Sequence, residues 1–108
     1  PPKSPDVDVS NIKIGKASEI ENNSSLMFKN GNKPGILIKT KDGELKAFSA
    51  TCTHLDCTVQ YKKDEGLIWC ACHNGRYDLN GTNISGPPPK PLTPFNVIVQ
   101  NDEIFVVK

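Results

Sequence analysis

The sequence predicts an all-β, antiparallel domain built as a meander of hairpins. Short runs that alternate apolar and polar residues, or are rich in β-branched ones, recur along the chain, and turn residues separate them. No window of about eleven residues or more carries a convincing helical period.

The elements follow in order. PPKSPDVDVS opens with proline rather than methionine and holds three prolines in its first five positions, so residues 1–10 read as a proline-rich tail or the remnant of a hinge to an upstream anchor. NIKIG alternates as a half-buried strand does. ASEIENNSSLMF is the nearest approach to a helical pattern, and its Asn and Ser run weakens it. Asn30-Gly31 marks a turn, and Asp42-Gly43 is a hairpin signal between GILIKT and ELKAFSA. TVQY and LIWCAC flank KKDEG, Asn80-Gly81 marks a further turn, and NVIVQ and EIFVVK flank Asn101-Asp102. SGPPPKPLTP, from Ser85 to Pro94, has the composition of a linker, but a strong strand pair and no second domain follow it. A stiff surface loop within one domain fits better.

The chain has 108 residues, the usual size of one domain, and its 13 basic and 12 acidic side chains give a net charge of +1. No block of like charge exceeds two lysines, so neither a nucleic-acid footprint nor a polybasic membrane patch is present. Apolar runs reach three residues in Ile36 to Ile38 and in Phe105 to Val107, against roughly 18 for a membrane span. The sequence as it stands predicts a soluble domain with no signal-peptide core.

All four cysteines and both histidines fall in two short runs, CTHLDC (Cys52, His54, Cys57) and CACH (Cys70, Cys72, His73). Each run sits just past a predicted strand, so hairpin loops can bring the two side by side at one end of a sheet. Several chemistries compete for such a set. Two disulfides would suit a small exported domain and leave both histidines unexplained. A structural zinc site would take two cysteines and two histidines, but the usual spacings differ and two cysteines are left over. A cysteine nucleophile with a histidine base explains one pair only. Covalent haem needs CxxCH, and CACH has a single residue between its cysteines, which excludes it. A [2Fe-2S] cluster of the mixed kind, two thiolates on one iron and two imidazoles on the other, uses Cys52 and His54 with Cys70 and His73. It leaves Cys57 and Cys72, one per run, where a mutual bond would tie the loops together.

CTHLDC with CACHNGRYD resembles the two boxes of Rieske iron-sulfur proteins, in the branch found in cytochrome bc and bf complexes, whose boxes read CTHLGC and CPCHGSxYD and are followed by a proline-rich loop like GPPPKPL (Gly86 to Leu92). The resemblance covers about residues 47–93. It implies a Rieske-type fold of three stacked antiparallel sheets, a single domain over residues 1–108, and a small cluster-binding subdomain at the tip that includes proline loop 86–92. By the same resemblance, one [2Fe-2S] cluster is held by Cys52 and Cys70 on the inner iron and by His54 and His73 on the outer. Cys57 and Cys72 pair, Gly75, Tyr77, Pro87 and Pro88 surround the cluster, and the Tyr77 hydroxyl bonds the Cys52 sulfur. His73 accepts a hydrogen bond and a proton from quinol, with His54 as the second exposed imidazole.

Three positions depart from the branch pattern. Asp56 replaces a glycine, Ala71 a proline, and Gly75 stands where a serine hydroxyl would bond a bridging sulfide. Hydrogen bonds to cluster sulfurs favour the more negative, reduced state, so the resemblance with Gly75 implies a lower potential, as in relatives that oxidise menaquinol, and Gly75→Ser is expected to raise it. Trp69 is expected to pack in the core rather than to conduct electrons. The implied function is the electron-transfer head of a quinol:cytochrome c or related oxidoreductase. Its implied partners are quinol, a membrane cytochrome b-type subunit and a c-type cytochrome, with no nucleic acid. The alternative is a soluble Rieske ferredoxin feeding an oxygenase, a branch that usually lacks the extra cysteines; a zinc module is the non-redox alternative. A disulfide also favours export to the oxidising face of an energy-transducing membrane.

Overall fold

Turn chemistry decides where this chain folds back on itself. The computed structural model describes residues 11–53, 57–72, 74–86 and 88–107. Among the described residues the strands are β1 (Asn11–Lys16), β2 (Ser24–Asn30), β3 (Lys33–Lys39), β4 (Leu45–Ser49), β5 (Gln60–Lys62), β6 (Leu67–Cys70), β7 (Gly75–Tyr77), β8 (Asn83–Ser85), β9 (Pro94–Gln100) and β10 (Glu103–Val107). Every pairing is antiparallel. Between β9 and β10, Asn101 and Asp102 both take positive φ, 52° and 66°, the mirror-image turn whose twist matches the strands it joins. Gly43 closes β3 to β4 at φ 88°, with the Gly43 N–H bonded to Thr40 O at 2.9 Å.

Two sheets result, in the orders β1-β10-β9-β4-β3-β2 and β5-β6-β7-β8. The six-stranded one is held across its middle by only two residue pairs between β4 and β9, Ala47 with Phe95 and Phe48 with Pro94. Leu37 and Ala47 of the β3–β4 portion share a core with Ile104 and Val106 of β10, so the two portions of this sheet pack on each other. Burial along β3 reports this directly. A half-exposed strand alternates, but Ile36, Leu37, Ile38 and Gly35 are all buried. Ile36 and Ile38 join Phe48, Val59, Ile68, Tyr77 and Leu92 in a core toward the small sheet, whereas Leu37 joins Ala47, Ile104 and Val106 in a second core toward β10.

The ASEIENNSSLMF stretch forms a single 3₁₀ turn, Ala17–Glu19, followed by β2; its Asn and Ser residues open the chain into a strand instead of extending a helix. Strands β7 and β8 were not foreseen. The small sheet occupies residues 60–85, inside the span expected for the tip. Among the described residues no helix is long and apolar enough to cross a membrane.

Candidate metal centre

Box one follows β4 in the chain. Past Ser49 the chain stays paired: Val59 N–H bonds Ala50 O at 2.7 Å, Thr51 bridges Thr58, and Cys52 N–H bonds Cys57 O at 2.6 Å. The Cys52 side chain is thereby turned into the core, 2% exposed. Box two is the β6–β7 turn. The pattern of β6 alternates, so Ile68 and Cys70 face inward, and Cys70 is fully buried as the last paired residue, opposite Gly75. Cys57 and Cys72 form a disulfide with Cα atoms 6.5 Å apart, which clamps the two loops together. The Sγ atoms of Cys57, Cys70 and Cys72 lie within 4.8 Å of one another. His54, Asp56, His73 and Pro87 lie outside the described residues, so the arrangement concerns the cysteines and their surroundings.

Tyr77, fully buried on β7, reaches up to both loops. Its hydroxyl donates to Cys52 Sγ at 3.5 Å and accepts from Thr53 N–H at 3.1 Å. Thr53 Oγ1 lies 3.0 Å from the same hydroxyl and gives its own proton to Lys90 O at 2.8 Å. The phenol's single proton therefore has two acceptors in reach, of which a thiolate is the stronger. Burial raises the Tyr77 pKa, and the Cys52 hydrogen bond raises it further while the Thr53 bonds lower it. The phenol stays a neutral donor. Thr53, which the sequence did not single out, links box one, Tyr77 and the proline loop.

The proline loop is seated by glycines. A Cβ on Gly75 would lie 2.5 Å from Pro88 Cγ, and one on Gly86, at φ 85°, would lie 2.8 Å from Gly75 Cα. The ring of buried Pro88 thus fills the space that a serine side chain at 75 would need. Further along, Leu92 is 2% exposed in the core and its N–H bonds Gly81 O at 2.8 Å.

Trp69 corrects an expectation. It faces outward from the small sheet because its neighbours Ile68 and Cys70 face inward. Its Nε1–H donates to Asn74 Oδ1 at 2.8 Å, and Lys62 Nζ sits 4.3 Å above the ring. Asn74 takes φ 56°, the left-handed region that asparagine tolerates best after glycine. The indole thus holds the residue that turns the chain back toward β7.

Two inward thiols, a neutral phenol donor and a disulfide between their loops fit a thiolate-bound iron centre, since hydrogen-bond donors and metal stabilise a buried thiolate.

The Rieske [2Fe-2S] domain family matches residues 10–99. The cytochrome b6-f complex iron-sulfur subunit of Chlorobaculum thiosulfatiphilum is 36% identical over 108 residues, all of this chain and 59% of that protein. The corresponding subunit of Synechococcus sp. (strain WH7803) is 37% identical over 75 residues, 68% of this chain and 42% of that protein. The chain spans a little over half the length of the first curated relatives it matches. Among solved structures, the cyanobacterial plasma membrane Rieske protein of Synechocystis superposes with a TM-score of 0.81 at 24% identity, covering 90% of this chain and 99% of that one. The ferredoxin of carbazole 1,9a-dioxygenase from Nocardioides aromaticivorans reaches 0.76 at 20% identity, covering 91% and 97%. Both likenesses concern the fold.

Proposed function

The chain belongs to the Rieske [2Fe-2S] domain family, and from this premise we propose that it is the electron-transfer head of a quinol oxidoreductase of the cytochrome bc or bf type. The Cys57–Cys72 disulfide carries the reading, because it ties the ligand loops as that branch does. Identity of 36% over the whole chain to a cytochrome b6-f subunit supports it.

In this proposal Cys52 and Cys70 hold the inner iron, and His54 and His73 the outer one. The cluster when bound supplies one-electron chemistry at a potential raised by its neutral imidazole ligands. Tyr77 donates to the Cys52 sulfur, which favours the added negative charge of reduction. The second ring nitrogen of His73 takes the hydrogen bond and then the proton of a quinol hydroxyl, with His54 as the other imidazole ligand. Pro88 covers one side of the centre, and Gly75 lets it approach. A membrane cytochrome b-type subunit and a c-type cytochrome or similar acceptor are the proposed partners. The residue 47–93 subdomain is the tip presented to them. The proposed location is the oxidising face of an energy-transducing membrane, where the disulfide persists.

A redox titration followed by electron paramagnetic resonance across a range of pH tests the reading. A two-iron signal whose midpoint falls on the alkaline side is the expected result. A midpoint that does not move with pH removes the proton role of His73, and a protein without two irons and labile sulfide removes the proposal entirely.

A further inference from the structure

The Cys57–Cys72 disulfide has a third sulfur beside it. Cys70 Sγ lies within 4.8 Å of both its sulfurs, and Cys52 is not one of the three. Thiolates exchange with disulfides by attack along the sulfur-sulfur axis, through displacement of one sulfur. Cys70 is held to this neighbourhood by its place at the end of β6, and full burial shields it from reagents in solution. The local concentration of the disulfide around it therefore far exceeds that of any external partner.

Resting on the reading of Cys70 as an iron ligand, we infer that in the cluster-free chain Cys70 attacks this disulfide. The Cys70–Cys57 bond forms as the Cys57–Cys72 bond breaks, and Cys72 leaves as the thiolate. The proton Cys70 released is balanced by the one Cys72 takes up; no electrons are gained or lost and no oxidant is consumed. Exposure selects the leaving group, because Cys72 is exposed and its thiolate is hydrated, whereas Cys57 is half-buried. Attack on Cys72 would instead close a ring across a single residue. The product withdraws Cys70 from iron, so a chain that loses its cluster cannot reload in the rearranged pairing. Iron bound at Cys70 would occupy the thiolate that attacks and so block the exchange.

The test maps disulfides by mass spectrometry in the purified chain before and after iron removal, with alkylation under native conditions and circular dichroism recorded in parallel. The loaded chain should show Cys57–Cys72 alone. After iron removal, Cys57–Cys70 should rise as Cys57–Cys72 falls, Cys72 should become the alkylated residue, and reconstitution with iron and sulfide should fall in proportion to the converted fraction. Cys52→Ser should rearrange as the parent does, and Cys70→Ser should retain Cys57–Cys72. Persistence of Cys57–Cys72 for days in a folded cluster-free chain overturns the inference. Equal formation of Cys52-containing pairs also overturns it, since that is scrambling of an unfolded chain. Failure of the functional reading is distinguishable: the chain as purified would then lack a [2Fe-2S] signal whatever its disulfide map.

Discussion

Gly75→Ser tests whether the proline loop, and not only a hydroxyl, sets the properties of the second box. In the native packing a Cβ at this position would stand 2.5 Å from Pro88 Cγ and 2.8 Å from Pro88 Cδ. Restoring ordinary contact at 3.4 Å requires the ring to retreat by about 0.9 Å. That retreat also pulls on the bond from Asn83 Nδ2 to Pro88 O, 3.0 Å long. Overpacking on this scale costs roughly 1–3 kcal/mol, and for a chain of this size each 1 kcal/mol lowers the melting midpoint by about 4 °C. Thermal melts of the loaded chain at a fixed scan rate should show Gly75→Ala and Gly75→Ser destabilised alike. Gly75→Ser combined with Pro88→Ala should recover stability beyond the sum of the single changes. The redox midpoint then separates the two effects, with Gly75→Ser lying above Gly75→Ala because only the former adds a donor. Wild-type melting of both single variants would refute the packing argument, and equal midpoints would refute the donor argument.

Four further outcomes are expected. Tyr77→Phe removes the donor to Cys52 Sγ and strands the Thr53 N–H, so it should lower the midpoint in a redox titration and cost about 1–3 kcal/mol in a urea melt. Replacing Cys57 and Cys72 together by Ala opens a connection of 15 residues and should cost roughly 3 kcal/mol by the chain-entropy account; an unchanged denaturant midpoint would count against it. Asn74→Ala places a Cβ-bearing residue that lacks the indole bond at φ 56°, and should destabilise by about 1 kcal/mol, more than Asn74→Gly does in the same melt. Burial raises the Tyr61 pKa above 10.0, so its neutral form contributes stability fully below that value and loses it as pH rises through the folded pKa; Tyr61→Phe should flatten this alkaline limb of an unfolding profile, and an unaltered limb would assign the loss elsewhere.

The hairpins were legible because Asn-Gly, Asp-Gly and Asn-Asp state a backbone conformation locally, and Gly31, Gly43, Asn101 and Asp102 all adopt the positive φ their types allow. The boxes were legible because soft ligands are rare and their spacing is chemical. Strands β7 and β8 were not, since Gly75–Tyr77 and Asn83–Ser85 are three residues each and too short to show a period. Their pairing is imposed by β6 alongside. Trp69 was misplaced because alternation along LIWC, which turns Ile68 and Cys70 inward, decided its direction. The seating of Pro88 on Gly75 and the bond from Thr53 to Lys90 join positions far apart in the chain, and no local pattern encodes them.

Strand β3 lends one face to each core, so neither can dissolve while the other stays intact. Loss of the layer around Leu37, Ile104 and Val106 releases the strand on which Ile36 and Ile38 stand, and with it the floor beneath Cys52 and Cys70. A probe of visible colour at the tip and one of backbone ellipticity over the whole chain should therefore report a single, coincident melting transition. A domain so joined holds its redox end by the same cooperativity that keeps its base folded.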